Sequence, residues 1–353
     1  MPYEVLFRCD GSPSVGLGHV LRCRSLAEAM ARRGARVRFV IGAGSELALA
    51  LLSPFFPVHR LAGSEDLTRS GLGDGDLAAT LEIARKNGAG MVVVDHYGAT
   101  AAYLESLAQA GVELGVIDDL ADRDLSAAGW VLNQNLGADD LPYRVRQDCR
   151  RLFGPSYALL RPGFASARGA LAREFRETDS RVLVALGGGD ATRSLAAVLD
   201  GLERVERRLA ITCLATAAVR REEVDRRAAA SRHRVELAID VEDVTELMAR
   251  TDLSVNGGGS VCWELACLGV PMIVLVRAAN QVNIAGALER AGCARNLGPW
   301  NDAESPSLLA GWVDELLSDS RARAEMSRRA ATLVDGRGAD RAAEEILMRR
   351  TQR

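Results

Sequence analysis

Short runs of β-branched and aromatic residues alternate along this chain with longer stretches of helical spacing. In the first half, "EVLFRCD", "RVRFVIG", "PVHRLA", "GMVVVDHY" and "LGVIDD" read as strands, separated by amphipathic stretches such as "DLAATLEIARKNG". That alternation predicts βαβ units and a parallel sheet. A second series, "SRVLVALGGGD", "RLAITCLAT", "RVELAI", "DLSVNGGG" and "PMIVLVRA", predicts another sheet of the same kind. Between the two lies "LRPGFASARGALAREFRETDSR", where Pro162, Gly163 and small residues precede a charge-rich stretch without strand character. The expected division is therefore an N-terminal domain over residues 1–165 and a C-terminal one over 166–353. Beyond "GCARNLG" the spacing turns helical, in "SLLAGWVDELLSD", "RARAEMSRRAATLVD" and "ADRAAEEILMRR". These helices could cap the second domain or cross back to the first.

Bulk composition adjusts this picture only slightly. A length of 353 residues exceeds what one hydrophobic core usually serves, which agrees with two domains. Apolar residues at 48% and charged residues at 26% are ordinary for a globular protein with a sizeable core. The formal net charge is −3 and the 44 basic residues are scattered, so nucleic acid is not an expected partner. Seven cysteines, at 9, 23, 149, 213, 262, 267 and 293, form no CxxC pair and no metal-ligand spacing, which fits free thiols in a reducing compartment. No basic leader precedes an apolar core, and no apolar run reaches the about 18 residues that span a bilayer. The expectation is a cytoplasmic protein, monomeric and not inserted in a membrane, acting on a small molecule.

In open parallel sheets, ligands bind outside the carboxyl ends of the strands. The loops that matter are thus "CDGSPSVGLGH", "DHYG", "LGGGDATRS", "NGGGSVCWE" and "VRAANQVN". Gly257, Gly258, Gly259 and Ser260 stand directly before a helix, with Ser260 a natural N-cap. Glycines there clear the Cβ atoms that would obstruct a diphosphate. Glu264, one turn on, could accept hydrogen bonds from a ribose or merely favour the helix dipole. Gly187, Gly188, Gly189 and Asp190 repeat the plan, and two such loops in one domain favour a nucleotide-sized anion. Asp190 itself reads as a turn or N-cap residue. Neither loop holds the GxxxxGK[ST] of a P-loop, and no GxGxxG opens the first helix.

The N-terminal loops carry a different inventory. His19 follows Gly16 and Gly18 at a helix start, where the dipole disfavours an imidazolium and suits a general base. It could equally fill the turn and bond a backbone carbonyl. Asp95, His96 and Tyr97 end the fourth strand. There is no HExxH, HxxxH or GxSxG, so neither a metal centre nor a serine nucleophile is expected.

The segments "FRCDGSPSVGLGHVLRCRSLAEAM", "VVVDHYG", "GVIDDLADR", "LNQNLG", "GPSYALLRPGF", "LVALGGGD", "GGGSVCWELACLGVPMIVLVRAANQ" and "AGCARNLG" occur in this order. As a set they resemble the PseG-type UDP-sugar hydrolases of bacterial pseudaminic acid biosynthesis. That family is in turn similar to inverting glycosyltransferases such as the lipid II N-acetylglucosaminyltransferase. The resemblance runs from the N-terminus to about residue 300. It implies a GT-B fold, two Rossmann-like domains with parallel sheets facing across a cleft, with UDP held mainly by the second. It also implies metal-independent, cofactor-free hydrolysis of UDP-2,4-diacetamido-2,4,6-trideoxy-β-L-altropyranose to the free sugar and UDP. His19 would then activate water, with Tyr97 important for activity. Gly16, Gly18, Asp95 and Arg161 would serve the sugar side, and Gly188, Gly189, Ser260, Glu264, Asn280 and Gln281 would hold UDP. The alternative is a GT-B glycosyltransferase with a UDP-sugar donor in surface polysaccharide synthesis, His19 deprotonating an acceptor hydroxyl. "CDGSP" departs from the alanine-aspartate-serine run of the family, and the helices past residue 300 lengthen the chain.

Overall fold

The computed structural model describes residues 3–11, 16–61, 71–170, 173–178, 180–188 and 190–348. They fall into two compact units, Met1–Arg161 with Arg337–Arg353, and Pro162–Gly336.

In the first unit seven strands form one parallel sheet: β1 (Glu4–Cys9), β2 (Arg36–Ile41), β3 (Val58–Arg60), β4 (Met91–Asp95), β5 (Glu113–Ile117), β6 (Trp130–Asn133) and β7 (Arg150–Phe153). Their order is β3-β2-β1-β4-β5-β6-β7. The central strands β1, β4, β5 and β6 are buried along nearly their whole length, as a sheet covered by helices on each side requires. Val5, Phe7 and Cys9 of β1 pack with Val20, Cys23, Leu26 and Met30 of the first helix, Gly18–Arg32. Leu6 of β1 and Val92 and Val94 of β4 join Tyr103, Leu104 and Leu107 of the helix Ala101–Gln109 in the other core.

The second unit holds β8 (Arg181–Ala185), β9 (Ala210–Ala215), β10 (Arg234–Ile239), β11 (Leu253–Gly257), β12 (Met272–Val276) and β13 (Ala294–Pro299). These six pair in parallel in the order β10-β9-β8-β11-β12-β13. Both sheets reverse direction of winding beside their first strand, between β1 and β4 and between β8 and β11. Such switch points leave a crevice at the strands' carboxyl ends. No helix among the described residues is long and apolar enough to cross a membrane.

Three strands, β6, β7 and β13, do not stand out in the sequence: β6 and β7 have four residues each, and β13 carries Arg295, Asn296 and Gly298 within it. The last helix, Gly338–Met348, belongs with the first unit, not with the second as the division at residue 165 placed it. Its Ala339, Ala342, Ala343 and Ile346 are buried in the first unit's core. Asp340 pairs with Arg32 at 3.0 Å and Arg33 at 2.8 Å, and Gly338 lies so close to the Ala158 backbone that a Cβ would overlap it.

Gly115 of β5 faces its register partner Trp130, whose indole is fully buried, and a Cβ there would overlap the ring. Gly115→Ala is expected to lower stability by about 1–3 kcal/mol through overpacking. The urea midpoint reads this, and an unmoved midpoint would contradict the packing described.

Candidate active site

The loops after β1 and β4 meet at the first sheet's switch point. Gly16 is buried at φ 81°, a left-handed conformation that glycine adopts without strain, and Gly18 opens the first helix two residues on. His19, Arg22 and Cys23 then share one helix face by their i, i+3 and i+4 spacing. That face meets Asp95, the last residue of β4, which pairs in register with Cys9 of β1.

Asp95 is the hub. Its Oδ1 lies 2.6 Å from His19 Nδ1 and accepts from Arg22 Nη2 at 2.6 Å, while Oδ2 accepts from Arg22 Nε at 2.6 Å and from Cys23 Sγ at 3.4 Å. Burial alone would raise this carboxyl's pKa, but Arg22 and His19 outweigh it and hold it well below the usual carboxylate range. An ionised carboxylate can only accept, so the His19 proton is assigned to Nδ1. Arg22 Nη2, 3.1 Å from the same nitrogen, is a second donor on the shared oxygen and not a partner of the ring. The tautomer so fixed turns a lone pair to Nε2, the atom a general base uses. The His19 side chain keeps 10% of its surface exposed, whereas Asp95 keeps 1%, so Asp95 acts on the ring rather than offering an oxygen to a ligand.

A second carboxylate completes the network. Arg22 Nη1 donates to both oxygens of Asp119 at 2.9 Å, and Asn135 Nδ2 donates to Oδ1 at 2.9 Å. The Tyr97 hydroxyl donates to Asp119 Oδ2 at 3.0 Å. The Tyr97 ring stands edge-on to His19, centroids 4.7 Å apart and planes at 86°. Burial opposes the Arg22 charge, but Asp119 and Asp95 raise its pKa well above normal. One guanidinium thus faces two carboxylates. Truncating Arg22 would take the shared guanidinium from both Asp95 and Asp119, breaking a largely buried ion-pair network at a loss of about 3–5 kcal/mol.

His96, the neighbour of these residues in sequence, turns elsewhere. Its Nδ1 accepts from the Gly98 N–H at 2.9 Å, and its Nε2 lies 3.1 Å from Asp10 Oδ2. Asp10 accepts from Arg8, which also holds Asp76 of the helix Asp74–Lys86. Desolvation pushes the Asp10 carboxyl up, and the His96 hydrogen bond and Arg8 overcome it and hold the carboxyl below its usual range. His96 therefore pins the loop that carries Tyr97. Arg161 stands half-buried directly before the helix Pro162–Ala170.

In the second unit three strand-end loops converge. Gly188 lies exposed after β8, and Gly189 lies outside the described residues. The Asp190 side chain turns back to the Thr192 N–H at 2.9 Å, as a turn residue does. Gly258 sits against Gln281, and a Cβ on it would lie 3.0 Å from Gln281 Cβ. Asn280 and Gln281 belong to a short 3-10 turn, and Gln281 Oε1 accepts from the Arg277 N–H at 2.8 Å. Ser260 precedes the helix Val261–Cys267, but with helical angles (φ −57°, ψ −24°) and no capping hydrogen bond, so the expected N-cap is not formed. Glu264 is half-buried one turn into that helix.

Residues 183–345 match the glycosyltransferase family 28 C-terminal domain. The spore coat polysaccharide biosynthesis protein SpsG of Bacillus subtilis (strain 168) is 25% identical over 341 residues, 93% of this chain and 93% of that protein. Among solved structures, MurG of Acinetobacter baumannii is similar with a TM-score of 0.68 at 15% identity, covering 98% of this chain and 100% of that one. The S. aureus MnaA-UDP co-structure reaches 0.68 at 14%, covering 99% and 97%. The fold is GT-B. Its C-terminal half is glycosyltransferase-like, and the PseG-type resemblance carries to that class and no finer.

Arg22 and Asp119 escaped the sequence reading. Arg22 could have been found from its i+3 spacing to His19, and Asp119 from its place after a strand of the same sheet. For His19, nitrogen NMR is expected to show the neutral ring protonated at Nδ1, with Asp95→Asn abolishing that preference. A wild-type ring protonated at Nε2 would contradict the assignment.

Proposed function

We propose that this chain is an inverting enzyme of the glycosyltransferase type that passes the sugar of a UDP-sugar to an acceptor hydroxyl in polysaccharide assembly, with His19 as the base. The observation that carries the reading is the 2.6 Å contact between His19 Nδ1 and a buried, ionised Asp95. The match to a glycosyltransferase C-terminal domain supports the reaction class, the name of SpsG supports polysaccharide as the product, and UDP in the MnaA co-structure supports the nucleotide.

His19 Nε2 takes the acceptor's proton as the oxygen attacks the anomeric carbon. The bond from that carbon to the diphosphate breaks, its electron pair leaves with UDP, and one displacement inverts the centre. Asp95 and Asp119 stabilise the imidazolium, and Tyr97, tied to Asp119, walls one side of the ring. Base catalysis of this kind supplies about 10²–10⁴-fold. UDP is already a good leaving group, so no general acid is required at its oxygen. Gly188, Gly189, Ser260, Asn280 and Gln281 serve the diphosphate and base, Glu264 the ribose hydroxyls, and Gly16, Gly18 and Arg161 the sugar.

The ordered motifs from "FRCDGSPSVGLGH" to "AGCARNLG" support a second reading, in which water replaces the acceptor and a UDP-linked 2,4-diacetamido-2,4,6-trideoxyhexose is hydrolysed. UDP release from candidate UDP-sugars, measured by chromatography with and without saccharide acceptors, separates the two. Transfer predicts release that depends on acceptor, with a product heavier by one sugar; rapid release without acceptor would replace it with hydrolysis. His19→Asn is expected to leave UDP affinity unchanged while turnover falls about 10²–10⁴-fold. Near-normal turnover in that variant would remove His19 from the mechanism.

A further inference from the structure

Arg277 is a half-buried cation to which the sequence reading gave no task. It leaves the carboxyl end of β12 and donates from Nη1 to the Leu186 carbonyl at 2.7 Å and from Nη2 to the Asp190 carbonyl at 3.4 Å, both in the loop after β8. In the sheet, β11 lies between β8 and β12. The side chain therefore crosses the end of β11, where Gly257 and Gly258 begin the glycine run. A Cβ on Gly257 would stand 3.0 Å from the Leu186 oxygen, and one on Gly258 3.0 Å from Gln281 Cβ, so the absence of side chains lets the three loops close on one another. The Arg277 N–H also fixes the Gln281 amide, placing its nitrogen 3.9 Å from where a Gly259 Cβ would be. One residue thus ties the loop after β8 to the loop after β12, and the glycines after β11 pack against Leu186 and Gln281, which it holds.

Its charge is left over. Backbone carbonyls hold the guanidinium in place without neutralising it, and no carboxylate among the described residues pairs with it. Asp190, whose charge bears on it, spends Oδ1 on the Thr192 N–H and hydroxyl. Burial pushes the Arg277 pKa down, and the charge of Asp190 only partly opposes that. A desolvated cation with a planar fork of donors is suited to phosphate oxygens.

We propose that Arg277 is the residue that recognises the diphosphate of the sugar donor, donating to its oxygens across the glycine loop and selecting diphosphate-linked over monophosphate-linked sugars. This rests on the reading that the second unit holds the donor's nucleotide. As the bond to the anomeric carbon breaks, its electron pair passes to a phosphate oxygen. The guanidinium stands beside that growing charge and transfers no proton.

Titration calorimetry of the full chain with uridine, UMP, UDP and inorganic pyrophosphate, alongside thermal unfolding, tests it. Arg277→Ala is expected to weaken UDP and pyrophosphate about 10- to 100-fold, the loss of a charge-assisted contact. Uridine should bind as before, and Arg277→Lys should recover part of the loss. Equal loss of uridine and UDP would make Arg277 a loop brace only, and unchanged UDP affinity would overturn the proposal outright. If Arg277→Ala unfolds, Arg277→Gln replaces it in the same comparison. Wild-type protein that binds pyrophosphate but not UDP would keep Arg277 and sink the uridine reading; binding neither would sink both.

Discussion

One buried carboxylate organises the chemistry of the first unit. Asp95 stands at the end of β4 with both oxygens taken, and its ionisation is possible only because Arg22 and His19 offset the cost of removing it from water. From that single constraint follow the tautomer of His19, the direction in which its basic nitrogen points, and the need for Asp119 as a second partner of Arg22. The first helix is therefore fixed to the sheet by polar bonds at its start and by Val20, Leu26 and Met30 along its length. Its glycine entry, with Gly16 at positive φ, brings the backbone into line for that docking.

The second unit reaches a comparable end by other means. Glycines at 257 and 258 allow close approach of loops, and Arg277 ties the loop after β12 to the Leu186 carbonyl. Each unit places its distinctive residues at the strand ends flanking a change in winding direction, where parallel sheets leave room for ligands. The division of labour is legible in residue type. The first unit's loops bring together a histidine, a tyrosine and carboxylates, and the second's bring together glycines, amide side chains and a guanidinium.

Much of this was open to reading in the sequence because long apolar runs and glycine clusters are local signals. The strands β1 to β5 and β8 to β12 declare themselves by β-branched runs, and His19, Asp95 and Tyr97 by their position after them. What the sequence hid was set by tertiary contact. Strands β6, β7 and β13 are held by pairing with β5, β6 and β12 rather than marked by their own residues. The final helix shows an apolar face, but only the alanines meeting the first helix, with Asp340 between Arg32 and Arg33, decide which unit it joins. Arg22, Asp119 and Arg277 are ordinary charged residues in sequence. Their partners lie 73, 97 and 91 residues away along the chain, so a local cue such as the i+3 spacing of Arg22 to His19 does not name the partner. Ser260 shows the converse, a residue type that suggests a cap at a position whose angles do not form one.

The central claim is that a single base, His19, drives one displacement at the anomeric carbon of a nucleotide sugar. Proton NMR of the newly formed product during turnover, read at the anomeric position before mutarotation, tests this most directly. Inversion relative to the donor is the predicted result, whether the attacking oxygen comes from a sugar or from water. Retention would require two displacements or a front-face path, and would contradict the account.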